Sequence, residues 1–432
     1  MDNKKNNVNY NRTSSQNNCA TSHHNICRFC KSPLNDEFID LGMSPLSNAF
    51  LKKDQLNKAE VFYPLKVYLC NECLLIQLGQ YETPENIFAD YVYFSSFSES
   101  WLKHSKNYCD QVTERFDLNQ NSFVVELASN DGYLLQYFLK KDIPCLGIEP
   151  AENVAKVSMQ KGIPTISDFF GTRLANELVK KDNLANLVIA NNVLAHVPDL
   201  NDFVEGIKLI LHTDGIATFE FPHFLNLIKL NEFDTIYHEH FSYFSFLTVQ
   251  KIFRAHELKI FDVEELESHG GSLRIYVSHV HNSHYQKSDR VKLMVKKEVR
   301  AGLSEISTYH NFSESAKQLK RDLLHVLNRI KNENKLIVGY GAAAKGNTLF
   351  NFCGIRTDYI DYVVDRNPAK QNRYLPGTHI PVYSPDKIYE DRPEYLFIIP
   401  WNLKKEIIKQ NQYIKNWGGK FIIPIPNVEI IE

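Results

Sequence analysis

Asn, Ser, Lys and His fill the first 24 positions, with almost no large apolar side chain among them. Such a stretch buries too little surface to offset its ordering entropy, which predicts a disordered tail over residues 1–24. Over residues 25–85 short apolar runs, FIDLG, YPLKVYLC and LLIQLG, are punctuated by Pro, Asn and Gly, the mark of a small strand-and-turn module. The rhythm changes over residues 86–305. A helical stretch from Ser100 to Phe116 precedes FVVELA, CLGIEP, NLVIANNVL, GIATFEFP and LRIYVSHV, with helical segments at LLQYFLK and from Ala151 to Lys161. Buried strands alternating with amphipathic helices predict a parallel sheet in a doubly wound α/β domain. A charged helix of 3.6-residue period, Ser313 to Asn332, then opens residues 306–432, where LIVGYGA, YIDYVVD, YLFIIP and KFIIPIP predict a second open α/β domain. The predicted fold class is α/β, a small module followed by two Rossmann-like domains.

A chain of 432 residues exceeds one ordinary core, in keeping with that division. Its 49 Lys and Arg nearly balance 51 Asp and Glu, which argues against a broad basic surface for nucleic acid. No run reaches the roughly 18 apolar residues of a membrane span, and the first residues lack the apolar core of a signal peptide. A soluble, cytoplasmic protein with no membrane or nucleic-acid partner is expected, as a monomer or simple homo-oligomer.

Four of the eight cysteines form two CxxC pairs, Cys27 with Cys30 and Cys70 with Cys73, while Cys19, Cys109, Cys145 and Cys353 stand singly. Two such knuckles supply four thiolates to one tetrahedral zinc, and a full set of Cys ligands leaves no position for water. A structural zinc is therefore expected in the module, which is too small to rely on a core alone.

FVVELASNDGYLL is a buried strand with Glu126 near its end, then a turn holding Ala128, Asn130 and Gly132, then a helix. Small residues at such a turn let the backbone approach a ligand. The next strand ends in Glu149, whose carboxylate suits ribose hydroxyls. Asp168 and Phe169 offer a polar group and an aromatic face for adenine, and Asn191 and Asn192 end the strand NLVIA. The turn lacks both a full GxGxxG and a nearby basic residue for a pyrophosphate, which favours S-adenosylmethionine (SAM) over a dinucleotide.

The ordered motifs CRFC, DLGMSPLSNAFL, YVYFSSFS, VVELASNDGYLL, NNVLAHVPDL, FDTIYHEHFSYFS, HGGSLR, VGYGAAAKGNTLFNFCG and DRNPAKQNRYLPGTHIPV run through nearly the whole chain from Cys27 onward. Together they resemble the zinc-containing, SAM-dependent nucleotide-sugar C-methyltransferases, typified by the C-3 methyltransferases of thymidine-diphosphate amino-keto-sugars. The resemblance implies a zinc module, a SAM methyltransferase domain, and a C-terminal α/β domain that helps hold a nucleotide-diphosphate deoxy-keto-sugar. It implies catalytic roles for Tyr237, Glu239 and His240 of IYHEHF, for His196 and Asn192, and for Tyr91, with Tyr93 close by as an alternative. A carbon next to a ketone becomes nucleophilic only after losing a proton, so a base and donors to the enolate oxygen are required. His240 suits the base, because an imidazole is neutral and basic near neutral pH, with Tyr237 and Glu239 as alternatives. In the C-terminal domain Gly341 ends a strand and Lys345 lies one turn into the following helix, an arrangement suited to a diphosphate. Asn351, Lys370 and Gln371 are further candidates for polar contacts to the substrate.

The expected reaction is C-methylation of a nucleotide-linked 4-keto-6-deoxy-sugar at C-3, through an enolate. Two other classes compete. GYGAAAKG also suits a nicotinamide-dependent oxidoreductase acting on a nucleotide-sugar, and Cys27 to Cys73 also suits a zinc-ribbon adaptor.

Overall fold

The first three apolar runs form an antiparallel meander of β1 (Asp36–Ser44), β2 (Tyr63–Leu69) and β3 (Ile76–Leu78) in the computed structural model, which describes residues 26–88, 94–181 and 183–432. In β2 the period-2 alternation turns Leu65, Val67 and Leu69 into the core. A fourth strand is added from far along the chain, because Ser242–Tyr243 pairs antiparallel with Ile76 and Gln77. The predicted tail, Cys19, Tyr91 and Tyr93 lie outside the described residues.

The second sheet contains β4 (Val124–Leu127), β5 (Cys145–Ile148), β6 (Thr165–Ile166), β7 (Ala185–Asn191) and β8 (Leu211–Pro222). Past Ser242–Tyr243, which is β9, come β10 (Leu258–Leu266) and β11 (Ser272–His279). The spatial order is β10-β11-β8-β7-β4-β5-β6. Successive side chains on the strands face opposite layers. Val124, Leu187 and Ile189 pack with Tyr108 and Val112 of helix Glu99–Arg115, while Val125, Val188 and Ala190 pack with helices Thr172–Val179 and Leu200–Ile210. The strands β4 to β8 are mutually parallel, as expected. LRIYVSHV departs from that expectation: β11 runs antiparallel to β8 and β10, and the sheet is mixed. Only residues 267–271 separate β10 from β11, too short a link for a parallel crossover. The order reverses at β4, with β5 on one side and β7 on the other, which opens a crevice at the carboxyl ends of these strands.

The third sheet is again open and twisted about one central strand. Its members are β12 (Ile337–Tyr340), β13 (Tyr362–Val364), β14 (Arg373–Tyr374), β15 (Pro381–Tyr383), β16 (Tyr395–Ile398), β17 (Lys420–Ile423) and β18 (Glu429–Ile431). They lie in the order β14-β15-β13-β12-β16-β17-β18, parallel except at the two edges. The charged helix spans Phe312–Asn332 and buries Leu319, Leu323, Leu327 and Ile330, one face at helical spacing.

The module sits between the two larger units and bonds to both. Phe38 of β1 stacks on Phe312 with ring centroids 4.9 Å apart. Leu51 and Tyr374 exchange backbone hydrogen bonds of 3.0 and 2.9 Å, and the Glu60 carboxylate accepts from the Gly377 amide at 2.7 Å. On the other side Arg28 donates to the Pro198 carbonyl at 3.0 Å, and Asn201 donates to the Phe29 carbonyl at 3.0 Å. Among the described residues no helix is long and apolar enough to cross a membrane. Leu323 is fully buried in the core shared by the module and the third sheet. Leu323→Ala is expected to cost about 2–5 kcal/mol, read as a lower thermal midpoint; an unchanged midpoint would remove the long helix from that shared core.

Candidate active site

The four cysteines meet as two equivalent knuckles. Lys31 and Leu74, each just after a CxxC, take positive φ and donate to the carbonyls of Cys27 and Cys70 at 3.0 and 2.9 Å. All four sulfurs lie within 4.8 Å of one another, with Cys27 to Cys73 at 3.6 Å and Cys30 to Cys70 at 3.4 Å. Bonds of about 2.3 Å to a tetrahedral zinc place sulfurs roughly 3.8 Å apart, so the set fits the metal. The Gln77 amide donates to Cys27 Sγ at 3.2 Å, and Gln77 also pairs with Ser242 in the sheet. Thiol crowding without a cation is unfavourable. Hydrogen bonds from Cys70 and Cys73 pull the Cys27 thiol far below its ordinary range, and the Cys27 thiolate pushes Cys70 up to about 11.

At the crevice beside β4, Ala128, Asn130 and Gly132 all take positive φ, which folds the turn tightly over the strand end. A side chain at Gly132 would strike Ile163 and Ser158. Glu149 accepts from the Asn130 and Ala151 amides, both at 2.9 Å, so the acid expected at the ribose also fixes the turn. Burial pushes Glu149 up to about 7 and holds Glu126 well above the usual carboxylate range. Across the crevice, Asn191 Oδ1 and both amide atoms of Asn192 are buried without a hydrogen-bond partner among the described residues. Orphaned amides call for a polar ligand, and the crevice fits SAM on that ground. Asp168 lies at the rim in a 2.6 Å ion pair with Arg173, and Phe169 beside it is exposed.

IYHEHF enters between the three units. His240 Nδ1 donates to the Thr235 carbonyl at 2.8 Å, because a carbonyl can only accept. That leaves Nε2 as the acceptor, and the Tyr237 hydroxyl donates to it at 2.8 Å. The His196 ring lies 4.7 Å from His240 at 77°. Burial pushes His196 down to about 4 and holds His240 well below its usual range, with His196 adding to the effect. The next side chain points elsewhere: Glu239 accepts from Asn48 of the module at 2.6 Å, and burial pushes it up to about 7. His238 faces the module and donates to the Pro64 carbonyl at 3.2 Å.

Several side chains around this cluster were not singled out in the sequence. Asp234 accepts from the Trp401 indole at 2.8 Å, and buried Glu232 is pushed up to about 8 by desolvation. Trp101 stacks on His104 at 4.8 Å and on Tyr133 of the cofactor turn at 6.0 Å, with His269 edge-on at 5.2 Å. His104 in turn lies 3.0 Å from Glu220, which also pairs with Arg274. His269 and Arg274 were in view only as part of HGGSLR. Trp101 and His104 belong to an ordinary-looking amphipathic helix, and nothing in its spacing marks them.

The C-terminal candidates separate. Gly341 takes positive φ and lies against Pro400, which a side chain there would contact at 2.8 Å. Lys345 Nζ is buried 4.8 Å from the centre of the Trp401 ring, within electrostatic reach of Glu232, Asp234, His240 and His269. Lys370 donates to the Ala342 carbonyl at 2.8 Å, Asn351 to the carbonyls of Asn347 and Pro376, and Gln371 to that of Asp365. These three spend donors on the domain's own main chain.

A doubly wound sheet with a cofactor crevice at its switch strand, a four-cysteine knot beside it and a buried acid-base cluster define a zinc-binding, SAM-dependent methyltransferase. Comparison with known proteins narrows the class. Residues 27–88 match the family described as "Putative zinc binding domain", residues 101–263 the "Methyltransferase domain", and residues 267–426 the "C-methyltransferase C-terminal domain". The chain is 32% identical over 409 residues to C-methyltransferase NovU of Streptomyces niveus, covering 94% of this chain and 96% of that one. It belongs to this family of SAM-dependent C-methyltransferases. The oxidoreductase and adaptor readings fall to these matches. Similar solved structures include the PH0226 protein of Pyrococcus horikoshii OT3, at 12% identity, 46% of this chain, 100% of that chain and a TM-score of 0.37. Another is magnesium protoporphyrin IX methyltransferase of Synechocystis PCC 6803 with bound SAH, at 12% identity, 41% of this chain, 83% of that chain and a TM-score of 0.34.

Elemental analysis of the purified protein is expected to find one zinc per chain. Replacing Cys27, Cys30, Cys70 and Cys73 together by serine should abolish zinc binding and unfold the module, since serine is a poor zinc ligand. A folded, zinc-free variant with full activity would sink the structural role.

Proposed function

We propose that the protein C-methylates a nucleotide-linked 4-keto-6-deoxy-sugar, at C-3, through an enolate formed in the Tyr237 and His240 cluster. The single observation that supports this reading most is the 2.8 Å hydrogen bond from the Tyr237 hydroxyl to His240 Nε2, backed by the 2.8 Å bond from Nδ1 to Thr235. These two bonds leave the Tyr237 oxygen as the outer member of a proton relay. As the sugar's α-C–H bond breaks, its proton passes to the Tyr237 oxygen while the phenolic proton passes to His240 Nε2. The electron pair left on carbon delocalises onto the ketone oxygen. Burial keeps His240 neutral at rest, as a base requires. The imidazolium formed during the relay is offset by the enolate formed beside it. Bound SAM supplies an electrophilic methyl group on a sulfonium. Glu239, tethered at one oxygen by Asn48, accepts in this reading from a donor at the sugar carbon, an amine or a hydroxyl. Tyr91 and Tyr93 remain candidates for contacts from the N-terminal side, as do Lys370 and Asn351 from the C-terminal domain.

Incubation with labelled SAM and a panel of nucleotide-linked 4-keto-6-deoxy-sugars, with the new methyl located by NMR, tests the reading; methyl transfer to nitrogen or oxygen alone would defeat it. His240→Asn is expected to slow deuterium exchange at the α-carbon about 10²- to 10⁴-fold while SAM affinity is kept. Exchange at the wild-type rate would remove His240 from the relay. SAM affinity should also depend on pH through Glu149. Ribose hydroxyls bind the ionised carboxylate, and the free protein's Glu149 sits at about 7. Affinity by calorimetry should therefore fall as pH drops below that value, by up to about tenfold per unit, and level off above it; a flat profile from pH 5 to 8 would count against Glu149 as the ribose acceptor.

A further inference from the structure

We propose that Lys345 is a catalytic residue whose ammonium donates to the enolate oxygen, and that it does not bind the diphosphate of the substrate. This inference rests on the enolate chemistry proposed above. Lys345 starts helix Ala344–Cys353 of the C-terminal domain, one residue after its first position, yet its Nζ is buried within electrostatic reach of His240. It lies 4.8 Å from the centre of the Trp401 ring. The indole N–H of Trp401 is donated to Asp234 at 2.8 Å, which enriches the ring face the cation rests on. Gly270 keeps this corner open, since a side chain there would strike the Glu232 carboxylate and approach the Trp401 ring to 3.0 Å.

The ammonium is held but not hydrogen-bonded. Among the described residues Nζ has no acceptor, and no carboxylate comes within 4.0 Å of it, although its charge reaches both Glu232 and Asp234. Burying a cation without an acceptor is costly, so the arrangement is stable chiefly when a ligand brings negative charge to it. The place decides which charge. Lys345 acts electrostatically on His240, the inner member of the proton relay, and on His269. An oxygen that becomes negative when the relay takes its proton is stabilised there at the moment of reaction, and the donor needs no reorganisation. The electron balance is complete: the C–H pair enters the C–C bond, the carbonyl pair moves to oxygen, and Lys345 keeps its proton while sharing it.

The test separates the enolate from the diphosphate. With the full-length zinc protein and thymidine diphosphate-4-keto-6-deoxyglucose in D2O without SAM, exchange at the α-carbon is followed by NMR. Thymidine diphosphate alone is titrated by calorimetry. Lys345→Met is expected to slow exchange about 10²- to 10³-fold while leaving thymidine diphosphate affinity within about twofold, and Lys345→Arg to recover most of the loss. Zinc content and SAM affinity verify that both variants are folded. Loss of thymidine diphosphate affinity with exchange unchanged would overturn the proposal in favour of the diphosphate role. Exchange and affinity both unchanged would overturn it outright. Absence of exchange in the wild-type protein would instead overturn the substrate reading, before any variant is compared.

Discussion

Two backbone pairings, Ile76 with Tyr243 and Gln77 with Ser242, tie the segment that follows His240 to the edge of the zinc module. The module's last strand has only three residues, and a strand so short holds register only if its neighbours are fixed. The four-cysteine knot fixes them, with Cys73 three residues before Ile76 and Gln77 hydrogen-bonded to Cys27 Sγ. Phe241 is held from both sides as well, its amide donating to Ala195 at 2.7 Å and its carbonyl accepting from Leu78 at 3.0 Å. The metal site is distant from the chemistry in role and close to it in mechanical consequence. Loosening the knuckles frees the backbone on which Tyr237, Glu239 and His240 are aligned.

Burial is the second constraint, and it gives the ionisable side chains their working states. His196, His240 and His269 are all driven toward the neutral form by desolvation, which a proton acceptor at rest requires. The same loss of water pushes Glu149 and Glu239 up to about 7 and Glu232 to about 8. Imidazoles held neutral and acids pushed toward neutrality reduce the fixed charge around the Lys345 ammonium. Asparagine and backbone donors do the orienting, as Asn48 does for Glu239 and the Asn130 amide for Glu149. Polar groups that carry no charge hold position without competing with the charge that develops in the substrate.

Much of this protein was legible along the chain. Apolar runs marked the central strands of the three sheets, because a strand buried on both faces must be apolar throughout, while β6, β9, β10, β14, β15 and β18 went unmarked. The Cys pairs named their metal, since a knuckle is a local structure of a few residues. Small residues at 128–132 marked the cofactor turn, where positive φ at three positions selects for them or for asparagine. The direction of β11 was hidden because burial constrains a strand's composition and says nothing of its polarity. Trp101 and His104 were hidden because a helix face that roofs a site has the same period as one that fills a core.

Local order in the sequence therefore determined the elements and each cysteine knuckle, since these depend on interactions within a few residues. Only the tertiary structure decided what those residues meet. Asn48 reaches Glu239 across 191 positions, and Trp401 reaches Asp234 across 167. Lys345 lies at a helix start, which in the sequence suits a diphosphate, and its buried ammonium lies 4.8 Å from the centre of an aromatic ring more than 50 residues away. Such contacts form only when the three units close on one another, and their partners leave no periodic trace in the chain.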